Sequence, residues 1–480
     1  LVAVLALAGC DKLLGLDDIK GKPQAQQITG TYRWLSAPLG PNELPVPTDD
    51  PAPLDATTLT ATLLDGTSVA VERANDGMFT FAVPPGALYR LSVFDADTAF
   101  ATEFQSDSAT AALVRRNFNR LDASPATMST PVTFHVTVAD PAVGFARICS
   151  IGVRTYLAPD NIDIENPTLD WLHTNDGLLS AARNDRLLYQ RWQVVGTNTY
   201  STITEADEEA VEMSDGVATV IPSTGGSKAL PPLPADRCVH LVSKRLTELS
   251  RLEALTGLPV KATWGVYSGL SVGDNPGILL QLALSTDAPV DDDLEIRYAS
   301  PYHGEVDVVF VQDIASRTFQ LPNTTGAAMA EVENLFDVVM PATAPCPGNI
   351  TSIGGTPQAF AISTTLAAQS LTDDSQVVTL DRSSPVPVEY TLTEGAYDYV
   401  VVSVFELFPS AGVTQFREVR SYVGASPLVV DPTLFVKDHH YTLQVTVTRG
   451  YPRAVMLDFA THAFPSGTTV IYSPMFRIGN

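Results

Sequence analysis

The sequence predicts an all-β protein: several antiparallel β-sandwiches in one chain, with one short helical insert. Three observations carry that prediction. Long runs alternate apolar and polar residues with period two, as in VTFHVTV (Val132–Val138) and YTLQVTVT (Tyr441–Thr448), the mark of a strand with one buried face. The turn sequences Leu64-Asp65-Gly66, Asn75-Asp76-Gly77, Pro85-Gly86 and Asn175-Asp176-Gly177 punctuate the chain, because glycine and short polar residues accept the positive φ of tight turns. A single segment, Leu241 to Thr256, has helical spacing.

In chain order, strands are expected around the turns within 59–93, then over 132–138, Gly277–Ser285, Leu294–Tyr298, Val306–Gln312, Tyr397–Leu407 and Tyr441–Thr448. The helix sets Leu246, Leu249, Leu252 and Leu255 near one face and stops at Gly257, with Pro259 beyond. At 480 residues the chain has room for roughly two to four domains. The boundaries expected are a first sandwich over 28–125, a central β-rich region over 126–345, a linker at 346–355 and a last sandwich over 356–480. The linker reading rests on Ala344-Pro345-Cys346-Pro347-Gly348.

Apolar residues make up 45 % of the chain and charged ones 17 %, which suits packed cores and not wholesale disorder. Lys and Arg number 29 against 54 Asp and Glu, a net charge of −25. Such a polyanion repels phosphate backbones, so nucleic acid is excluded as a partner, and anionic headgroups repel it too. Membrane attachment therefore has to come from another source.

That source is the opening stretch. Leu1 to Ala8 is apolar throughout, far shorter than the roughly 20 residues of a spanning helix, and reads as the tail of a signal-peptide core. Leu7-Ala8-Gly9-Cys10 resembles the lipobox of bacterial lipoproteins. The resemblance implies that residues 1–9 are a signal remnant whose front is missing, that Cys10 carries the lipid, palmitate among its acyl chains, and that 10–27 form an anchor and tether. More than one acyl chain makes a stable anchor. The implied location is the bacterial cell envelope, periplasmic or surface-exposed. Asp11 is similar to an inner-membrane retention signal in some envelope-sorting systems, which leaves the final membrane open.

Two further stretches carry resemblances. Residues 59–93, LTATLLDGTSVAVERANDGMFTFAVPPGALYRLSV, are similar to carboxypeptidase regulatory-like sandwiches; the resemblance implies glycine turns between strands and Tyr89 packed on the inner face. Pro432 to Val447 resembles the E–F segment of a fibronectin type III domain, with Tyr441 placed as a tyrosine corner after Leu434. The stretch GLLSAARNDRLLYQRW, residues 177–192, is similar to one in large bacterial lipoproteins and implies no activity.

The candidate chemistry is sparse. Gly269-Leu270-Ser271-Val272-Gly273 matches the nucleophile elbow of serine hydrolases, which needs a strand before it and a helix after it. Ala262–Tyr267 supplies a strand, but Asp274-Asn275-Pro276-Gly277 breaks a helix; His303 is the nearest downstream partner for Ser271. Asp438-His439-His440 reads as a solvated turn and not a metal site, since neighbouring strand residues point to opposite faces. Asp160, Asp163 and Glu165 offer oxygen ligands that suit calcium, with Asp291-Asp292-Asp293 a second cluster, but neither forms a known calcium loop. Asp170, His173 and Asp176 read as a surface turn. After Cys10 three cysteines remain, Cys149, Cys238 and Cys346; export allows one disulfide, and Cys149–Cys238 is the pair preferred. No phosphate loop, dinucleotide fingerprint or zinc spacing occurs, so no cofactor is expected unless it is calcium. Two readings follow: a lipid-anchored envelope protein with a non-catalytic binding or structural role, for a protein or glycan ligand, or an extracytoplasmic serine hydrolase using Ser271. The balance is against an enzyme.

Overall fold

The computed structural model describes residues 25–36, 48–52, 54, 57–95, 101–116, 123–140, 144–151, 155–157, 163–173, 177–183, 185–195, 200–222, 225–235, 237–241, 252–268, 279–286, 294–299, 308–322, 324, 330–341, 350–351, 358–459, 463 and 466–479. The protein is all-β, with sheets stacked as sandwiches. The alternation at 132–138 puts Val132, Phe134, Val136 and Val138 in a core, though the run is divided at His135 between two small sheets. The helix is shorter than its spacing predicts. Leu241 closes the strand Arg237–Leu241 and pairs with Leu294, because the β-favouring Val239 and its neighbours find a partner strand. Residues 252–256 are helical and end where Gly257, at φ +67°, donates to Glu253 O at 2.7 Å. Residues 242–251 lie outside the described residues.

One hydrogen-bonded sheet of 18 strands runs through the whole chain. It passes from Phe145–Ile151 through Arg186–Val195, Tyr200–Ala210, Leu279–Thr286, Lys261–Ser268, Val308–Phe319 and Ala330–Pro341 of the central unit. It crosses into the C-terminal unit at Ser466–Tyr472, then continues through His440–Arg449, Tyr399–Ser410 and Val413–Val423. It ends in the N-terminal unit with Ala101–Ser106, Tyr89–Asp95 and Thr57–Leu63. Among the described residues six strand pairs run parallel. No hairpin can make such a pair, so each of them joins segments that are not chain neighbours. One is Ile350–Thr351, beside His240–Leu241, within the stretch read as a linker.

Two further sheets cover this wall on opposite faces. Strands Ala361–Leu366, Gln369–Ser370, Val386–Leu392 and Leu428–Val430 close the C-terminal sandwich over a core that includes Val400, Val402, Val404, Tyr422, Tyr441 and Phe476. Strands Gln26–Ser36, Thr48–Pro51, Met78–Val83 and Thr110–Arg116 close the N-terminal one. Its core contains Phe79, Phe81, Tyr89 and Leu91, and also Val423, Tyr451, Leu457 and Phe459 from the far end of the chain. Tyr422 and Val423 thus serve different cores, as adjacent strand residues must. The two terminal units share one wall.

The same geometry explains a strand that is buried where alternation predicts solvent on one side. Along Tyr399–Ser410, Val400, Val402 and Val404 enter the C-terminal core. On the other face Tyr399 and Val401 pack on the N-terminal core, and Phe405 and Leu407 meet Phe319, Leu321 and Val332 of the long hairpin Val308–Pro341. Thr442 and Thr448 of the next strand are likewise covered, at 0 % and 3 % exposure.

The local patterns tied to family resemblance take their expected shapes. Tyr89 is fully buried, meets Phe81 edge-on with ring centroids 5.1 Å apart, and donates to Ser108 O at 2.8 Å. Gly77, at φ +83°, turns so tightly that a Cβ there would lie 2.7 Å from Tyr32 O. Tyr441 makes the tyrosine corner: its hydroxyl donates to Leu434 O at 3.2 Å and accepts from Val436 N at 2.9 Å. The 177–192 stretch is the heart of the central unit. Trp192 and Tyr189 are buried, and Arg191 reaches Glu205 at 3.1 Å with both side chains at 5 % exposure or less.

Candidate functional site

A groove of about 840 Å³ lies where the long hairpin meets the C-terminal sandwich, the kind of junction at which ligands are commonly held. One wall is the turn after Val308–Phe319, carrying Gln320 and Pro322; the other presents Asp373, Asp374, Asp438, His440 and Arg477 over an apolar floor of Met475. Each polar side chain is set by a local device. Asp373 Oδ1 accepts from Ser375 N at 2.9 Å and Ser375 Oγ at 2.5 Å, and these bonds hold its pKa below the ordinary carboxylate value. Asp374 Oδ1 accepts from Met475 N at 2.7 Å and from Arg317 Nη2 at 2.8 Å, so it ties the sandwich to the hairpin. Asp438 stands at φ +65° and faces Arg477 Nη1 at 3.0 Å.

The two neighbouring histidines go different ways. His440 lines the groove, and burial first, then Arg477 and His439, push its pKa below the ordinary value, which leaves it neutral at pH 7. His439 turns aside, with Nδ1 2.6 Å from Glu406 Oε1. Arg417 grips the other oxygen of Glu406 with Nε at 2.9 Å and Nη2 at 2.6 Å. Burial raises the pKa of Glu406, but the bonds from Arg417 and His439 outweigh it and the net shift is downward. This triad braces the turn that carries Asp438 and His440. The groove offers three carboxylates, a guanidinium, a neutral imidazole and amides around an apolar floor. It suits a polar ligand held by hydrogen bonds.

Of the residues marked in the sequence, Asp438 and His440 line this groove, where His440 is half-buried and not on the solvated turn expected; the others fall elsewhere. Cys10, Ser271, His303, Asp160, Asp176, Cys346 and Asp291 to Asp293 lie outside the described residues. The strands on either side of Ser271, Lys261–Ser268 and Leu279–Thr286, pair antiparallel with each other, so the motif joins strand to strand. Asp163 organises its own turn: Oδ1 accepts from Glu165 N and Asn166 N, Oδ2 from Asn166 Nδ2, and Asn166 Oδ1 meets His135 Nδ1 at 2.8 Å. Asp170 caps another turn, accepting from Ser129 Oγ, Thr130 N and Leu172 N. Cys149 and Cys238 belong to strands of different sheets; their side chains are outside the description. Trp34, Trp171 and Trp192 are core residues. Sequence reasoning missed Asp373, Asp374, Met475 and Arg477, whose local signal is only that of turns. The tertiary fold alone brings residues 320–322, 373–377, 438–440 and 475–477 together.

No known protein family matches the chain, and no curated protein does. Solved structures that align with it include the four N-terminal Ig domains of Dscam1 isoform 8.4, at 10 % identity over 95 % of this chain and 100 % of that one, TM-score 0.12. Chicken CNTN1 FN1–FN3 aligns at 9 % identity over 93 % of this chain and 99 % of that one, TM-score 0.11. Escherichia coli alpha-2-macroglobulin activated by porcine elastase aligns at 9 % identity over 95 % of this chain and 44 % of that one, TM-score 0.15. TM-scores of this size do not describe a shared domain arrangement, and the fold stands on its strand pairing and cores.

Proposed function

We propose that this chain is a lipid-anchored protein of the bacterial cell envelope that acts by binding or by building structure, not by catalysis. The observation that carries the reading is the braced polar groove between hairpin and C-terminal sandwich, which offers hydrogen-bonding groups on a rigid sheet. The lipobox-like Leu7–Cys10 supports the anchor, and the sandwiches support modules of the carboxypeptidase regulatory-like and fibronectin type III-like kinds. The partners are then the membrane, through the lipid on Cys10, and a polar protein or glycan ligand in the groove. No cofactor enters this reading.

The test begins with cells expressing the full chain and fed a clickable palmitate analogue. Label on the wild type that disappears in Cys10→Ser supports the anchor, and label that persists overturns it. Protease shaving of the same intact cells then separates a surface location, where the full-length band is lost, from a periplasmic one, where it survives until the envelope is opened. Glycan and peptide arrays probed with wild type and Arg477→Ala test the groove: binding lost in the variant supports it, and binding unchanged removes it. Fluorophosphonate labelling that vanishes in Ser271→Ala would overturn the non-catalytic reading.

A further inference from the structure

We infer that the end of the N-terminal unit carrying Leu88, Val455 and Met456 rests on the bilayer that holds the lipid; the inference depends on the anchor reading above. Three loops converge where the chain leaves its tether. Gln26 opens the first strand, and its side chain spans two of the loops: Oε1 accepts from Gly86 N at 3.2 Å, and Nε2 donates to Asp107 O at 3.4 Å. Tyr89 Oη donates to Ser108 O at 2.8 Å, and Ser108 Oγ donates to Met456 O at 3.3 Å. The loops 84–88, 106–110 and 454–457 therefore cluster at one end of the N-terminal unit, with Gln26 among them.

This end exposes large apolar side chains: Val455 at 76 %, Leu88 at 51 % and Met456 at 45 %. Scattered apolar residues are ordinary on a surface; these three coincide with the point where the tether arrives. Residues 11–25 lie between Cys10 and Gln26, and at full extension they reach about 50 Å, so the lipid confines this end to the neighbourhood of the bilayer. Confinement raises the local concentration of membrane around the tip, as any tether does for a second contact. The charged groups on the same end are Asp65 and Asp107, both exposed, and Arg453, which is paired with Asp458 at 3.1 Å. Among the described residues of this end no exposed cation is left unpaired, so the contact they make is apolar. The opposite end of the unit, at the Asn75–Asp76 turn before the strand Met78–Val83, also exposes apolar side chains, Met78 at 46 % and Leu54 at 42 %, but it lies the length of the strand pair Gln26–Thr31 with Met78–Val83 away from where the tether arrives.

Photocrosslinking of the full lipidated chain in phosphatidylcholine vesicles tests this. Benzoylphenylalanine is placed at Val455 in one preparation and at Asn75 in another, and adducts are read by mass. A phospholipid adduct on the first and none on the second is the expected result. Vesicle-bound protein with lipid on Cys10 but no adduct at 455, or equal adducts at both positions, overturns the inference and leaves the anchor standing. An adduct at 455 with protein in place of lipid in native membranes overturns it in favour of a protein contact. A chain without lipid on Cys10 that does not sediment with vesicles removes the anchor and this inference together.

Discussion

The seam between the N-terminal unit and the C-terminal sandwich is edged with polar contacts, whereas the seam between that sandwich and the central hairpin is chiefly apolar. At the first, Ala101–Phe104 runs parallel to Arg420–Val423. Beside it Arg420 reaches Glu103 at 2.5 Å, and the Gln105 amide takes both backbone groups of Val429, at 2.6 and 3.2 Å, as a neighbouring strand would. At the second, Phe319, Leu321 and Val332 press on Phe405, Tyr472 and Met475, with Asn334 Oδ1 accepting from Tyr472 N at 2.8 Å. Apolar area is indifferent to small slips; an ion pair and a bidentate amide fit one register. Both seams are hydrogen-bonded strand pairs, and the difference lies in their flanks: chiefly apolar side chains back the antiparallel pairing at the hairpin, while an ion pair and an amide back the parallel pairing of the terminal units.

The largest effect expected is at the apolar seam. Phe319→Ala removes a side chain that is 1 % exposed and should cost about 3–5 kcal/mol in urea unfolding; a loss under about 1 kcal/mol would show that the hairpin packs loosely. At the polar seam, Arg420→Ala leaves Glu103 buried without its cation and should cost about 3 kcal/mol. The double variant Glu103→Leu with Arg420→Met should recover most of that. If the double variant is as unstable as the single one, the pair contributes stability beyond register.

Smaller effects sharpen the picture. Gln105→Ala frees the edge at Val429 and should lose about 1–2 kcal/mol, with faster hydrogen exchange at Val429 and not at Val445; unchanged exchange would deny the amide its strand-like role. Acid tests the triad. Because Glu406 has a lowered pKa when folded, the unfolded chain takes its proton first. The stabilisation is therefore full above the ordinary value of 4.5 and drains away as pH falls below it. Arg417→Ala should flatten that part of the acid-unfolding curve, and a curve like the wild type's would clear Glu406 of the effect. The smallest effect is expected from chelation. Both Asp163 oxygens already serve its turn, so a chelator should leave the melting temperature unchanged, and a drop would assign calcium to Asp160, Asp163 and Glu165.

What the sequence made legible was local. Period-two runs gave the strands at Leu294–Tyr298 and His440–Arg449, and the Leu434–Tyr441 spacing gave the corner. The long burial of Tyr399–Ser410 was not legible, because its second face is covered by segments distant in sequence, the hairpin Val308–Pro341 and the N-terminal unit. Leu241 was misread as helical for a related reason: the leucine spacing is real, but a partner strand at Leu294 competes for the residue. The groove was invisible because each of its residues looks like an ordinary turn residue until four segments are folded together.

The polar seam also sets the order in which the protein can be finished. Glu103 and Arg420 stand 317 residues apart, and Gln105 and Val429 stand 324. A growing chain presents its first strands long before Val423, Tyr451 and Phe459 arrive to complete their core. Until then the strand Ala101–Ser106 keeps an open edge and Phe104 lacks its partner Phe459, 5.4 Å away in the finished fold. The first domain waits on the last: its core is complete only when the segment carrying Tyr451 to Phe459 has been made. A stop codon near position 400 would undo both ends of the protein at once.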